Sequence, residues 1–413
     1  MIQIAILGYG TVGSGVAEVL EKNMQTIAGR VDKTLNIKYI LDLRDFPDSP
    51  YGDKHIKDFS IIDQDPEIQI VVEVMGGSGA AYQFTKTCLE KGRSVVTSNK
   101  ELVALHGAEL LSVAKKHNAN YLFEASVGGG IPIIKGIHQC LAANKIEEVY
   151  GILNGTTNYI LSKMVKEGST FEYALKEAQE LGYAEADPTA DVAGIDAARK
   201  ICILTSLSTG THFYPETMQT TGITQITQSD ILMAKRMGRV IKLLGRSVIS
   251  ENGKVCAVVA PFLIEQSHPL ATVEDVNNAI FVRGNAIGQC MFYGPGAGKL
   301  PTASAVVADI MDAAKHTERR IWLDWVSPTE NMIDDGKEVF TDLYLRVSNR
   351  QHTLPDVLAA IQEAFGGTYS ILSAESDDFY AFVLHGQAYK TLEENVKKLK
   401  KRNISVENYI RLL

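Results

Sequence analysis

The amino-acid sequence predicts a doubly wound α/β domain, a mixed α+β domain and a small α+β module at the C-terminal end. Three observations carry this. Short apolar runs alternate with helical spacing through the first 130 or so residues, the alternation that builds a parallel sheet. Near Ile146 that alternation gives way to a strand followed by several helices. A polar stretch with Pro and Gly at 327–339 then separates this region from a strand, helix, strand, strand, helix pattern at 340–413.

The first run, I-Q-I-A-I-L at 2–7, ends in G-Y-G-T-V-G at Gly8–Gly13, and Val16, Val19, Leu20 and Ile27 follow at helical spacing. Strand, glycine turn and helix are expected in that order. Further strands are predicted at 37–41, 70–74 and 95–97, with a helix at 80–91, giving a first domain over 1–130. The G-P-G-A-G run at 294–298 leads into a helical pattern at 303–314, so about 300–325 is expected to complete that domain. Residues 131–326 otherwise read as the second domain, with strands at 148–153 and 254–264 and helices at 159–166, 171–181 and 192–207. Beyond the 327–339 linker, the module is expected to pack Leu343, Leu345, Val357, Leu358, Ile361, Phe382 and Leu384 in its core.

Composition narrows the function classes. The 413 residues are 45% apolar and 22% charged, as in globular proteins, and the formal net charge of −8 argues against a phosphate-backbone binder. Lys397, Lys398, Lys400, Lys401 and Arg402 form the one basic run, patterned with Val396 and Leu399 as the solvated face of a helix. No nucleic-acid partner is expected. The cysteines at 88, 140, 202, 256 and 290 are odd in number and lack a C-x-x-C pair, which suggests neither disulfides nor zinc and favours a reducing compartment. No apolar stretch approaches membrane-spanning length and no basic leader precedes the first strand, so a cytoplasmic protein without membrane association is expected.

Several motifs carry chemistry. In G-x-G-x-x-G between a strand and a helix, Gly8 permits the turn, Gly10 admits a pyrophosphate and Gly13 permits close helix packing, so a Rossmann-type, dinucleotide-binding first domain is expected, with a purely structural strand-turn-helix as the alternative. The acidic residue expected on the ribose is Asp42, 29 residues after Gly13, with Arg44 beside it, so NAD and NADP both remain open. V-V-T-S-N-K at 95–100 places Lys100 just past a strand's carboxyl end, where ligands bind in such sheets, although a surface lysine at a helix start is an equal reading. Asp196 and Lys200 sit four residues apart before the apolar I-C-I-L-T-S-L, so they are either a surface ion pair or buried groups with a function. At 123–134, Glu124 precedes three glycines whose carbonyls could turn inward, a donor set for a hard cation or simply a structural loop.

Eight ordered blocks resemble homoserine dehydrogenase across nearly the whole chain: G-Y-G-T-V-G, E-V-M-G-G at 73–77, V-V-T-S-N-K, F-E-A-S-V-G-G-G-I-P at 123–132, L-N-G-T-T-N-Y-I-L at 153–161, L-G-Y-A-E-A-D-P at 181–188, D-V-A-G-I-D-A-A-R-K at 191–200 and F-Y-G-P-G-A-G-K-L-P-T-A-S-A-V-V-A-D at 292–309. The resemblance implies reversible NAD- or NADP-dependent hydride transfer between L-homoserine and L-aspartate 4-semialdehyde, on the route to threonine, methionine and isoleucine. It implies that Lys200 is the acid/base residue, with Lys100 as a second active-site lysine and Asp196 beside them. Glu185 would bind the substrate amino group, with Thr156, Tyr183 and Asp191 lining the same pocket. Cofactor contacts would come from Gly8, Gly10, Thr11, Val12, Gly13, Arg44, Ser98, Lys100, Gly294, Gly296 and Gly298. Glu124 with the carbonyls of Val127, Gly129 and Ile131 would hold a sodium ion. The second domain would bind substrate and dimerise, giving a homodimer or homotetramer.

The chain departs from the family at Lys299, where a further glycine is common. Its module resembles the ACT regulatory domain, yet Asp356 stands where that domain's ligand-binding turn has glycine, so dimer contacts rather than amino-acid sensing are expected of it. A phosphorylating semialdehyde dehydrogenase would need a nucleophilic cysteine, and none of the five has a glycine-rich or His-paired setting. A non-catalytic dinucleotide sensor would leave Lys100 and Lys200 unexplained.

Overall fold

The computed structural model describes residues 1–413 except 319, 330, 335 and 374–377, so parts of the linker segment lie outside the described residues. The chain divides into two compact units. One comprises Met1–Ile146, Arg199–Pro215 and Asn278–Asn331, and the other Glu147–Ala198, Glu216–Asn277 and Met332–Leu413.

The first unit is built on a six-stranded sheet in the order His55–Ile56, Leu35–Leu41, Ile2–Leu7, Ile68–Glu73, Ser94–Thr97, Tyr121–Leu122. Every pairing is parallel. This order reverses direction at the first strand, which places the glycine turn at the crevice where ligands bind in such sheets. The strands read as apolar runs because both faces are covered: Ile4, Ala5, Ile6 and Leu7 are fully buried. Helix Lys299–Lys315 packs on helix Thr11–Lys22 so closely that a Cβ on Gly15 would lie 2.7 Å from the Lys299 carbonyl oxygen.

In the second unit, Arg239–Ile249 and Val255–Glu265 form a long antiparallel pair, with Ile146–Ile152 on the outer side of the first. The single helix expected over 192–207 is broken into Thr189–Val192 and Ile195–Thr209. Gly194 makes the break at φ +84, where its missing side chain leaves room for Val259 and Thr220. Helix Gly155–Glu167 starts where Asn154 caps it by accepting from the Thr157 amide at 2.8 Å.

The C-terminal segment folds as βαββαβ, with one more strand than the sequence pattern suggests, Val406–Leu412. Its sheet order is Val406–Leu412, Phe340–Ser348, Phe379–Ala388, Tyr369–Ser373, all antiparallel, the ferredoxin-like arrangement. Leu343, Leu345, Val357, Ile361, Phe382 and Leu384 form its core, with Leu358 packed against them. The extra strand continues the sheet of the rest of its unit, because Phe262 and Leu263 pair in parallel with Arg411 and Leu412. A buried polar hub reinforces the join: Asp230 accepts from Arg346 Nε at 2.8 Å, Tyr344 Oη at 3.2 Å and Asn408 Nδ2 at 3.0 Å. Part of the linker also adds to this sheet, since the Val255 amide donates to Met332 at 2.8 Å and the Asp334 amide to Val255 at 2.7 Å.

Candidate active site

The glycine turn of the first unit has little steric latitude. Gly8 holds φ +98, and a Cβ on Gly13 would fall 2.0 Å from the Gly8 carbonyl oxygen. Gly10 is different: its φ of −78 suits any residue, and a Cβ there would meet only Arg44 Nη2 at 3.6 Å. Gly10 is also the N-cap of helix Thr11–Lys22 and brings no side-chain cap, so the amides of Thr11, Val12 and Gly13 present the positive helix end to an anion. A pyrophosphate fits this turn.

At the carboxyl end of the second strand, Asp42 accepts from the Tyr9 amide at 2.8 Å and takes a two-pronged contact from Arg44, with Nε on Oδ1 at 3.0 Å and Nη2 on Oδ2 at 2.8 Å. The Arg44 guanidinium holds the Asp42 carboxyl well below the usual carboxylate range. Arg44 therefore turns back onto the acidic residue expected at the ribose.

Lys100 is the first residue of helix Lys100–Lys116, capped by Asn99, whose Oδ1 accepts from the Leu102 amide at 3.1 Å. The Ser98 amide donates to the Glu73 carbonyl at 3.4 Å. Segments well separated in sequence meet where a Cβ on Gly129 would lie 2.5 Å from the Gly296 carbonyl oxygen and one on Gly296 would lie 2.1 Å from the Asn278 side chain. The glycines of both loops thus permit backbone-to-backbone packing. Gly294 is less constrained, facing Ile131 at 3.3 Å, while Gly298 holds φ +121 at the start of helix Lys299–Lys315. Lys299 pairs through Nζ with Glu18 Oε2 at 2.7 Å, which ties that loop's end to helix Thr11–Lys22.

Glu124 is buried, and its two carboxylate oxygens accept from the amides of Ile134 and Lys135, each at 2.8 Å. Its own amide donates to Asp309 Oδ2 at 2.8 Å. Burial, and then the Asp309 carboxylate, push the Glu124 carboxyl up to about 7. Ile131, whose carbonyl accepts from the Ile133 amide at 2.8 Å, and Val127 lie in the same buried loop.

In the second unit one asparagine organises the polar residues. Asn154 Nδ2 donates to Asp191 Oδ1 at 2.7 Å and to Asp196 Oδ2 at 2.9 Å, while Oδ1 caps its helix. Thr156 Oγ1 donates to the Tyr183 carbonyl at 2.7 Å, so this helix start also holds the segment that carries Glu185. Glu185 and Tyr183 are exposed there. Helix Ile195–Thr209 begins in this unit with Asp196 and carries Lys200, a residue of the first unit, one turn further on; both are buried, at 5% and 8% exposure. That rules out the surface ion pair. Asn154 and Glu73 are buried polar residues that the sequence reading did not single out; both stand inside quoted motifs, at an N-cap and at a strand's carboxyl end.

Two family profiles match the chain: homoserine dehydrogenase over residues 132–311 and homoserine dehydrogenase, NAD binding domain, over 8–124. The homoserine dehydrogenase of Bacillus subtilis is 40% identical over 353 residues, 84% of this chain and 81% of its own length. That of Corynebacterium glutamicum is 37% identical over 425 residues, 100% of this chain and 95% of its own. Among solved structures, a homoserine dehydrogenase from Thiobacillus denitrificans superposes with a TM-score of 0.89 at 36% identity, covering 100% of this chain and 98% of that one. A hyperthermophilic archaeal homoserine dehydrogenase in complex with NADPH has a TM-score of 0.65 at 32% identity, over 76% of this chain and 97% of that one. With a parallel-sheet NAD(P)-binding unit, a buried aspartate and lysine one turn apart on a helix and relatives that match along its whole length, the chain belongs to the homoserine dehydrogenase family.

Proposed function

We propose that this oxidoreductase interconverts L-homoserine and L-aspartate 4-semialdehyde with Lys200 as the acid/base group, and that the burial of Lys200 beside Asp196 on one helix face is the observation that carries the assignment. When bound, the nicotinamide takes up or gives the hydride. In oxidation the carbinol C–H bond breaks, the hydroxyl proton passes to neutral Lys200 Nζ and the C–O bond becomes a carbonyl. Lys100 would supply the second amine of the site. In reduction the two ammonium groups stabilise the developing oxyanion and Lys200 returns the proton. Asp196 and Asp191, fixed by Asn154, orient the substrate end, and Glu185 takes its ammonium group. The test is nicotinamide absorbance with L-homoserine and each cofactor in turn; a folded protein that binds cofactor without turnover refutes the assignment.

Gly8, Gly10, Thr11, Val12 and Gly13 would hold the pyrophosphate, and Ser98, Lys100, Gly294, Gly296 and Gly298 the nicotinamide half. Arg44 would accept a 2′-phosphate by swinging from Asp42, so NADP is accepted alongside NAD. A sodium ion would be held by Glu124 and the carbonyls of Val127, Gly129 and Ile131, in the buried loop where the Lys135 amide donates to Glu124 and Lys135 Nζ pairs with Asp309 at 3.0 Å. The reaction serves threonine, methionine and isoleucine synthesis in the cytoplasm, by a homodimer or homotetramer. The βαββαβ segment is ACT-like but contributes to assembly rather than sensing: Asp356, in the place of the ligand-admitting glycine, is spent in a capping box with Thr353, whose Oγ1 donates to Asp356 Oδ2 at 2.6 Å.

A further inference from the structure

The E-V-M-G-G motif ends a sheet strand with a carboxylate that the proposed chemistry does not use. Glu73 is the last residue of strand Ile68–Glu73 and is fully buried. Its Oε1 accepts from the Met75 amide at 2.8 Å, at the head of the loop that continues to Gly76 and Gly77. Its Oε2 accepts from Thr97 Oγ1 at 2.6 Å, on the neighbouring strand. Thr97 Oγ1 accepts in turn from the Asn99 amide at 2.9 Å. Asn99 then does two things: Oδ1 caps helix Lys100–Lys116, and Nδ2 donates to the Gly77 carbonyl at 2.7 Å. The circuit closes on itself. It joins the two loops that leave the sheet at its ligand-binding end, and Lys100 is the next residue after it.

We propose that Glu73 is a positioning residue of the dehydrogenase, its buried carboxylate fixing through Thr97 and Asn99 the helix start that presents Lys100 and through Met75 the glycine loop beside it. The inference rests on the reading of Lys100 as an active-site lysine. A buried carboxylate is an expensive way to tie two loops, since an apolar pair would close the same space without removing a charge from water. What the carboxylate supplies is two acceptors at fixed angles, and the donors it fixes are those of the catalytic edge. Burial pushes the Glu73 carboxyl up to about 7, against the Thr97, Met75 and Asn99 hydrogen bonds, which favour its charged form. The titratable group that senses it from strand Tyr121–Leu122, one strand beyond that of Thr97, is the Tyr121 phenol, itself pushed up by burial and by Glu73.

In the ionised state both donors meet an acceptor; once protonated, Glu73 must donate toward Thr97 and the Thr97 proton loses its acceptor. The circuit therefore couples the position of Lys100 to an ionisation near neutrality.

The experiment compares wild type, Glu73→Gln, Thr97→Val and Lys100→Met by kcat and KM across pH and by thermal melting. Glu73→Gln is expected to lower kcat about 10–100-fold, as misplacement of a reacting group does, with cofactor KM changed less than about threefold. It should also remove an inflection near pH 7 from the kcat profile and raise Tm above neutral pH, where wild type holds a buried charge. Thr97→Val keeps the carboxylate but deletes a bond to its charged form, so it should lower kcat and move the inflection to higher pH. If both variants stay within about threefold of wild type with an unmoved profile while Lys100→Met abolishes turnover, the relay is refuted and the lysine's role stands. If Lys100→Met itself stays within about tenfold, the role of Lys100 fails and the relay falls with it.

Discussion

Gly10→Ala and Gly13→Ala add the same methyl group to the same turn, yet the structure predicts opposite failures. At Gly13 the new Cβ would sit 2.0 Å from a backbone oxygen and 3.3 Å from Val74 Cγ2, so the turn itself must open by about 1 Å. Overpacking of that kind costs about 1–3 kcal/mol or more, which should appear as a lower Tm before any cofactor is added. At Gly10 the Cβ has 3.6 Å to Arg44 Nη2 and the backbone is already at φ −78, so the fold loses nothing and the unfolded chain loses freedom. Tm should hold or rise, by an equivalent of about 0.4–1 kcal/mol. The methyl does occupy the space through which a pyrophosphate reaches the amides of Thr11 to Gly13, and loss of that approach should weaken cofactor binding about 100-fold, or about 2.8 kcal/mol. Differential scanning fluorimetry gives the stability and quenching of protein fluorescence by the reduced cofactor gives the affinity. Undiminished affinity in Gly10→Ala at unchanged Tm would refute the pyrophosphate cradle.

Other consequences follow from separate parts of the structure. Arg44→Ala should weaken NADP more than NAD, because it removes a 2′-phosphate partner and uncovers Asp42; equal affinities for NADP before and after would place Arg44 elsewhere. Arg346→Ala should cost about 3–5 kcal/mol by leaving Asp230 buried without its cation, whereas a urea midpoint close to wild type would mean the hub is solvated. Glu124 is raised in the folded state, so its contribution to stability is fully present below its unfolded value of 4.5 and is lost as pH rises through about 7. A bound sodium ion opposes that loss: at about pH 8 sodium chloride should raise Tm over choline chloride at equal ionic strength, and identical Tm values would remove sodium from the account. On the proposed ACT-like reading, L-threonine should leave activity unchanged, since Asp356 is engaged in the capping box with Thr353; sub-millimolar inhibition lost on Asp356→Gly or on Thr353→Val would overturn that.

What could be read in advance was what is local. The glycine turn is legible because the constraint at Gly8 and Gly13 comes from the turn's own backbone. Asp196 and Lys200 are legible because a spacing of four and an apolar continuation put two charges on one buried helix face. Strand Arg239–Ile249 escaped because Lys242 and Arg246 interrupt its apolar pattern, and both are satisfied by distant partners: Lys242 Nζ donates to Asn158 Oδ1 at 3.0 Å and Arg246 Nε to Glu148 Oε1 at 2.7 Å. Strand Val406–Leu412 escaped for the same reason, its Arg411 reaching Gln219 Oε1 at 2.8 Å. The break at Gly194 is a packing demand made by Val259, far away in sequence, and no helical pattern records it. Asn154 and Glu73 have ordinary local readings as a cap and a strand end; only the fold shows where their second hydrogen bonds go.

Proton transfer by Lys200 is tested most directly by turnover of Lys200→Ala beside wild type, with L-homoserine and saturating cofactor, together with the cofactor Kd of each. The buried Asp196–Lys200 face predicts a fall in kcat of about 10²–10⁴-fold with Kd nearly unchanged. A fall of less than about tenfold would mean that the buried pair only supports the helix and that the proton leaves by another route.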